Sequence, residues 1–448
     1  MANSRKLTSP NLPERVAACL APLLPADSTI IIGLSGGVDS VVLLHLLHQL
    51  ALRFSWKIAA LHVHHGISAN AYDWAAFCDR LCQQQQIPLH LEKVDIAPLR
   101  AHGIEAAARR LRFAAFAAQS CDFVALAHHA DDQVETLFLQ LLRGAGVRGA
   151  SAMSSTSKDS RRIVRPLLHS SRQEILDYAA AHDLQWIEDE SNADEGYPRN
   201  FLRHRLLPLL GEKFPAYRET LVRSTQHFAE AGELLDDLAK LDAADAIRAD
   251  TLGVASLQQL TLPRGKNLLR YFFHQLALPM PQTVQLEAML HQLCNARDDA
   301  NVCINFGSDW QMRRYQGRVY VLRALAAFDK NLVVQWRGEA ELAWPALNSN
   351  VLFTRGSELN ISLNLSLQKL QLAPVTLRLR QGGETLRPAK NAVTRTLKNL
   401  LQEHQISPWQ RDRLPLLYCG EQLVCIPGVA IAAEYQADEN EAALSVNV

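Results

Sequence analysis

The amino-acid sequence predicts an α/β fold: a parallel, doubly wound sheet in the N-terminal half, then a helical domain, then a small α+β C-terminal domain. Three observations carry this expectation. Short apolar runs alternate with helical stretches over the first 200 residues, and repeated βα units imply a parallel sheet with helices on both faces. From about residue 217 the pattern changes to long helices with wide polar faces. From about residue 375 it changes again, to short strand-like runs around a single helix.

The elements follow in order. "TIIIGLS" (29–35) is a short, continuous β-branched run, as expected of a strand buried on both faces. "VVLLHLLHQLAL" (41–52) is a helix, "KIAALHV" (57–63) a second strand and "AYDWAAFCDRLCQQQQ" (71–86) a helix. "LHLEKV" (89–94) is the third strand, "IEAAARRLRFAAFAAQ" (104–119) a helix, and "DFVALAH" (122–128) the fourth strand. The helix "DDQVETLFLQLLRG" (131–144) comes next, and "RRIVRPL" (161–167) is a candidate fifth strand. Residues 217–247 read as helix. Residues 326–370 hold alternating runs such as "LVVQW" and "ISLNLSLQKLQL", with few turn signals to fix their pairing. "TLRLRQGGETLRP", the helix "RTLKNLLQEHQ" and the hairpin "LPLLYCGEQLVCIPGVAIAAEY" then form a compact α+β unit. The expected domains are 1–215, 216–325 and 371–448, with 326–370 as a linker region.

Composition narrows the class. With 48% apolar and 21% charged residues in 448, the chain is an ordinary globular one. Its formal net charge of zero argues against capture of nucleic acid by the whole molecule, but not by a local basic face. No signal-peptide core and no uncharged stretch of spanning length occur, so a cytoplasmic protein without a membrane partner is expected. The eight cysteines are scattered without a C-x-x-C, and Cys78 and Cys82, four apart on a helix, read as small apolar residues. No ligand set for zinc or an iron–sulfur cluster is present.

The chemistry concentrates where strands end. Ligands of such sheets sit at the carboxyl ends of the strands, and three unusual segments lie there: 35–40, 62–66 and 128–135. Ser35-Gly36-Gly37-Val38-Asp39-Ser40 joins the first strand to the first long helix. A Gly-rich turn opening a helix is an anion nest, because backbone N–H groups converge and the helix adds roughly half a positive charge. Gly36 and Gly37 let phosphate oxygens approach the backbone, and Ser35 and Ser40 supply hydroxyls. Neither the Walker A nor the dinucleotide fingerprint is present. Asp39 would repel phosphates unless a cation lay between them, which points to Mg²⁺ at Asp39. The competing structural reading is a tight turn capped by Asp39 or Ser40.

The hexapeptide 35–40 is identified as a PP-loop, the signature of the N-type ATP pyrophosphatases. With "LHVHHGISANA" (61–71), "AHHADDQVET" (127–136) and "IEDESNADEGYPRNFLRHRLLP" (187–208), the N-terminal half closely resembles the tRNA(Ile)-lysidine synthetase family. The likeness continues less specifically through the middle and through 381–418. It implies a carbon–nitrogen ligase that uses ATP and Mg²⁺. The C2 oxygen of the wobble cytidine of tRNA(Ile) with anticodon CAU would be adenylylated, and free L-lysine would displace AMP to give lysidine. Residues 1–215 would then be catalytic, 216–325 substrate-binding and 371–448 tRNA-binding, and a homodimer is left open.

The resemblance and the residues together assign candidate roles. Ser35, Gly36, Gly37, Val38, Asp39 and Ser40 hold the nucleotide, with His62 as part of the adenosine wall. His62, His64 and His65 do not converge as metal ligands, because strand alternation splits them between faces. Arg109 reaches phosphate or tRNA, against the alternative of a solvated helix face. His129 neutralises charge or moves a proton. Asp132 and Glu135 share a helix face and hold either the ammonium groups of lysine or Mg²⁺. Asp189, Asn192, Arg199 and Arg203 position cytidine and lysine. Arg380, Arg387, Lys390 and Lys398 belong to a tRNA face, since residues 375–414 carry eight bases against three acids. A thiolase of the same superfamily would need cluster or persulfide cysteines, and an amidotransferase-type synthetase would need a glutaminase domain; neither is found. A non-catalytic RNA-binding protein with a relic pocket is disfavoured by the intact loop.

Overall fold

A computed structural model describes residues 11–448 except 67, 69, 158–161, 298–299, 356–363 and 439–440. Residues 161 and 361–363, parts of two expected strands, thus lie outside the described residues. The chain divides into two compact units, Met1–Asp237 and Leu238–Val448.

The first unit contains α1 (Leu12–Leu20), β1 (Thr29–Gly33), α2 (Val38–Phe54), β2 (Lys57–His64), α3 (Ala71–Gln84), β3 (Leu89–Lys93) and α4 (Ile104–Ala118). It continues with β4 (Phe123–Ala125), α5 (Ala130–Leu142), α6 (Val147–Ala150), β5 (Thr156–Ser157), β6 (Arg162–Val164), α7 (Arg172–Ala181), α8 (Pro198–Phe201) and α9 (Leu207–Lys213). The helix α10 (Tyr217–Ala243) leads out of it. The strands form one sheet in the order β3-β2-β1-β4-β6-β5. All pairings are parallel except β5 on β6 at the edge. The register sets Ile30 beside Ile58 and Phe123, which aligns the carboxyl ends of β1, β2 and β4.

The continuous run in β1 has a direct explanation. Ile30 and Ile32 pack on one face with Val42, Leu46, Cys78 and Ile175. Ile31 packs on the other with Ala115, Phe116 and Val124. A strand covered on both faces has no polar side, and each such residue contributes about 1.5–3 kcal/mol of apolar burial. The reading of Cys78 and Cys82 as packing residues holds as well: both are buried and free, and burial pushes their thiols up to about 12 and about 11.

The second unit begins with β7 (Ile247–Arg248), β8 (Thr251–Gly253), α11 (Val254–Gln259), α12 (Leu262–Gln275), α13 (Thr283–Asn295), β9 (Cys303–Phe306), β10 (Trp310–Tyr315) and β11 (Arg318–Arg323). The helices pack through Leu268, Phe272, Phe273, Met289 and Leu293 onto Ile304, Met312 and Val319. Helices dominate here as expected, but they rest on an antiparallel sheet, β7-β8-β11-β10-β9. Two of its strands, β7 and β8, span only 2 and 3 residues, too few for a period of two to stand out beside the helical signal.

The remainder holds β12 (Val333–Trp336), β13 (Glu341–Trp344), β14 (Ser349–Arg355), β15 (Leu365–Ser366), α14 (Leu367–Leu370), β16 (Val375–Arg378), β17 (Thr385–Leu386), β18 (Arg395–Thr396) and α15 (Leu397–Glu403). It closes with α16 (Pro408–Arg411), β19 (Leu416–Cys419), β20 (Gln422–Ile426), β21 (Ala430–Ile431) and β22 (Ala443–Asn447). Two sheets, β12-β16-β19-β20-β21 and β13-β14-β22-β15, enclose Trp344, Val351, Leu377, Leu417 and Leu444. Residues 326–370, expected as a linker region, therefore supply strands to both C-terminal sheets. β13 and β14 pair with each other across residues 345–348, but the other partners lie far along the chain, at Val375–Arg378 for β12 and in Ala443–Asn447 for β14 and β15, where no local turn signal marks the pairing. No helix among the described residues is long and apolar enough to cross a membrane.

Candidate active site at the sheet rim

The loop after β1 is shaped by two glycines in different ways. Gly36 has φ +90°, a conformation that favours glycine, and a Cβ there would stand 2.7 Å from Ile187 Cδ1, so that side-chain end would have to shift. Ile187 in turn donates its N–H to the Gly36 carbonyl at 2.9 Å. Gly37 has φ −71°, and a Cβ would meet only Ser35 Oγ at 3.5 Å, an ordinary contact. The protein itself leaves that space open beside the start of α2. Gly37 caps α2 without a side-chain bond, so the N–H groups of the first turn, Val38 to Ser40, have no intrahelical acceptor.

Ser40 acts differently from a free hydroxyl. It is buried, its Oγ accepts from the N–H groups of Ser35 and Gly36 at 3.2 Å each, and it donates to the Gly37 carbonyl at 2.9 Å. It braces the turn, whereas Ser35 is exposed. His62 is also a brace. Its Nδ1 donates to the Leu34 carbonyl at 2.9 Å and lies 3.4 Å from Cys78 Sγ, and burial lowers its pKa. It ties the end of β2 to the root of the loop, beneath the surface a nucleotide would touch.

Asp39 lies on the first turn of α2 and faces the start of α5. Its Oδ1 is buried without a hydrogen-bond partner among the described residues, and His129 Nε2 stands 3.6 Å away. Burial pushes the Asp39 carboxyl up, while His129 and Arg172 pull it down. His129 is almost fully buried at the N-cap of α5. Its own N–H donates to Asp132 Oδ2 at 3.0 Å, and its Nδ1 has no hydrogen-bond partner among the described residues. No group of three or more His, Cys, Asp and Glu able to hold a metal occurs among the described residues. An orphaned carboxylate oxygen beside an open anion nest nevertheless suits Mg²⁺, which takes one or two protein carboxylates and completes its shell with phosphate oxygens and water.

Next to this pair lies a dense charge network. Glu135 is wholly buried, and Arg199 Nε donates to its Oε2 at 2.5 Å. Arg203 donates to both oxygens, Nε to Oε1 at 2.6 Å and Nη2 to Oε2 at 3.0 Å. Arg199 Nη2 also reaches Asp132 Oδ1 at 2.9 Å. Burial would raise the Asp132 carboxyl, but His129 and Arg199 outweigh it and hold it below the ordinary aspartate value. Asp131 accepts from Arg218 and, at 3.1 Å, from the Arg172 N–H. Arg203 lies on a π-helical turn, Leu202–Leu206, between α8 and α9; such turns rotate side chains out of the regular helical register.

The structure thus brings Asp39, His129, Asp132, Glu135, Arg199 and Arg203 together. Asp189 accepts the Asn192 N–H through its carbonyl at 3.0 Å, and the Asn192 carbonyl lies 2.8 Å from His204 Nε2, which folds this stretch on itself. Arg109 is exposed, with its guanidinium 5.0 Å from the Phe113 ring. Arg380, Arg387, Lys390 and Lys398 belong to the second unit, where Arg380 pairs with Asp412, Arg387 with Glu434 and Lys390 with Asp438. Lys398 is exposed and forms no ion pair among the described residues. Sequence reasoning missed Arg165, Arg172 and Arg218. All three lie outside the quoted motifs, and only the fold aims them at the rim.

The known proteins that resemble this chain fall on the same lines. Family models described as PP-loop domain, TilS substrate binding domain and TilS substrate C-terminal domain match residues 9–210, 252–320 and 375–448. A tRNA(Ile)-lysidine synthase of Nitrosomonas europaea is 40% identical over 100% of this chain and 97% of its own length. One from Coxiella burnetii is 36% identical over 97% of this chain and 96% of its own, and one from an Azoarcus species 38% identical over 95% and 92%.

Proposed function

Because the chain belongs to the tRNA(Ile)-lysidine synthase family, a family of ATP-using enzymes that form lysidine in tRNA, we propose how its sheet rim performs the reaction. The wobble cytidine of tRNA(Ile) with anticodon CAU enters with its C2 oxygen facing the α-phosphate of ATP. That oxygen attacks phosphorus, diphosphate leaves, and the side-chain amine of free L-lysine then attacks C2 as AMP leaves.

The first-turn N–H groups of α2 and the open space at Gly37 receive the diphosphate, and Ser40 keeps the turn in that shape. Asp39 holds Mg²⁺, which when bound supplies positive charge against the leaving diphosphate. His129, whose Nε2 stands 3.6 Å from Asp39 and 3.5 Å from Asp132 and whose Nδ1 has no hydrogen-bond partner among the described residues, takes the proton that the lysine ammonium must lose before it can attack. Glu135 is the anchor that positions Arg199 and Arg203, since both of its oxygens are engaged and none of its side chain is exposed. Asp132 keeps 12% side-chain exposure and is the acid that receives the lysine ammonium.

The observation that carries this reading is the buried, unpartnered Asp39 Oδ1 beside an uncapped helix N-terminus. Its test is AMP release with and without lysine and tRNA, run on Asp39→Asn beside the parent enzyme. Loss of AMP release with tRNA affinity retained supports the assignment. Equal weakening of both removes Asp39 from the nucleotide site.

A further inference from the structure

His128 ends the stretch after β4, one residue before His129, and has had no role so far. Its Nδ1 lies 3.3 Å from Arg165 Nε. A guanidinium can only donate, so Nδ1 must be the unprotonated acceptor nitrogen. The imidazole is then neutral and its single N–H is at Nε2, which has no hydrogen-bond partner among the described residues. Arg165 is well placed to enforce this. It is buried, at 7% exposure, and its Nη1 is fixed by the Ser154 carbonyl at 2.8 Å. Ser154 is held in its turn through Met153, whose N–H and carbonyl are both bonded by the Gln133 amide at 2.8 and 2.7 Å.

We propose that Arg165 is a positioning residue that locks His128 as the neutral Nε2–H tautomer, and that His128 serves the reaction as a fixed hydrogen-bond donor to a phosphate oxygen and not as a base. The environment agrees. Burial lowers the His128 pKa to about 4; Asp132 from α5 opposes this, while Arg165, Arg199 from α8 and Arg109 from α4 reinforce it. Three guanidiniums around a neutral donor form a setting for an anion. The phosphate can belong to the nucleotide or to the RNA backbone. The donor role rests on the proposed reaction, whereas the tautomer lock does not.

The test separates the two. In the ligand-free protein with ¹⁵N-labelled histidine, the signals lost in His128→Gln identify this ring. The expected pattern is Nε2–H with bare Nδ1, unchanged from pH 8 to pH 5.5. In Arg165→Lys, which keeps the charge but loses the fixed Nε donor, the ring should show both tautomers. In Arg165→Met both tautomers should again appear, and the ring should titrate higher than in the parent protein but still below the ordinary histidine value, because its burial remains. A His128 that titrates above pH 6 in the parent protein, or carries its proton on Nδ1, overturns the lock whatever the reaction. For the donor role, His128→Gln keeps an N–H and should retain activity within about tenfold, while His128→Ala should lose far more. The loss should fall on ATP KM if the phosphate is the nucleotide's, or on tRNA affinity if it is the RNA's. Equal activities of the Gln and Ala variants overturn the donor role.

Discussion

Two regions of this molecule use the same chemical pair, guanidinium with carboxylate, to opposite effect. At the sheet rim two arginines share two acids, and Glu135 is inaccessible to water while Arg199 and Arg203 are about a quarter exposed. In the C-terminal region two of the pairs made by the expected tRNA-face bases are wet. Arg387 and Glu434 are 41% and 47% exposed, and Lys390 and Asp438 are 77% and 67% exposed and 3.9 Å apart. Buried charges interact strongly but are costly to leave unmatched, whereas exposed pairs are worth about 0–1 kcal/mol. The difference also revises the charge count. The basic excess of 375–414 is answered by Glu421, Glu434 and Asp438, which come later in the chain, and residues 371–448 as a whole carry eight bases and eight acids. A tRNA-contacting face there would rest on the bases left unpaired, Lys398 first, and not on a field from the whole region.

The contrast can be broken most forcefully at Glu135. Glu135→Gln keeps the shape and leaves two guanidiniums without their shared charge, and should cost about 3–5 kcal/mol of unfolding free energy by urea titration. A loss under about 1 kcal/mol would place the network among the wet pairs. Asp39→Asn should cut lysidine formation by about 10²-fold or more yet raise the melting temperature at neutral pH. Burial raises the folded-state pKa of Asp39, so the ionised carboxylate burdens the fold. That burden is absent below the ordinary aspartate value of 3.8 and appears as pH rises through the raised one. The stabilisation should therefore vanish in acid, and a gain that persists there would point to another cause.

Smaller effects sharpen the comparison. Asp132→Asn should raise the KM for lysine by about 10-fold or more, the loss of one charge-assisted contact, with the KM for ATP little changed. A shift in the Mg²⁺ requirement instead would give Asp132 to the metal. Lys398→Ala should lower the slope of log Kd for tRNA against log salt by about 1, and an unchanged slope would move the RNA contact elsewhere. Arg387→Gln should change stability by less than about 1 kcal/mol, and a larger change would mean that this pair is not acting as an exposed one.

Much of the N-terminal sheet was legible because its signals are local. The run 29–35 contains β1, and each of the next three expected strands overlaps an observed one within two or three residues. The loop was legible for the same reason: glycine, acid and helix start lie side by side. What the sequence hid is tertiary. Glu135 meets Arg199 and Arg203 across separations of 64 and 68 residues. Arg165 finds His128 only because β4 and β6 are adjacent in the sheet. The edge strand β5 is only two residues long, and β12 and β15 have their partners far along the chain, at 375–378 and 443–444.

The place of β22 in its sheet bears on how the protein is made. This strand, close to the last residue, lies between β14 and β15 and hydrogen-bonds to both. During translation β13 and β14 leave the ribosome able to pair with each other, but with the second partner of β14, the strand β22, still to be synthesised. At roughly 5–20 residues added per second they wait several seconds with a sheet edge unmatched. The parallel sheet of the first unit draws only on residues 29–164, so all its strands have emerged long before. The nucleotide-binding half can assemble as it is born, whereas the sheet of β13, β14, β22 and β15 closes only once residues 443–447 have been made, and until then the free edge of β14 is open to pairing with a neighbouring strand.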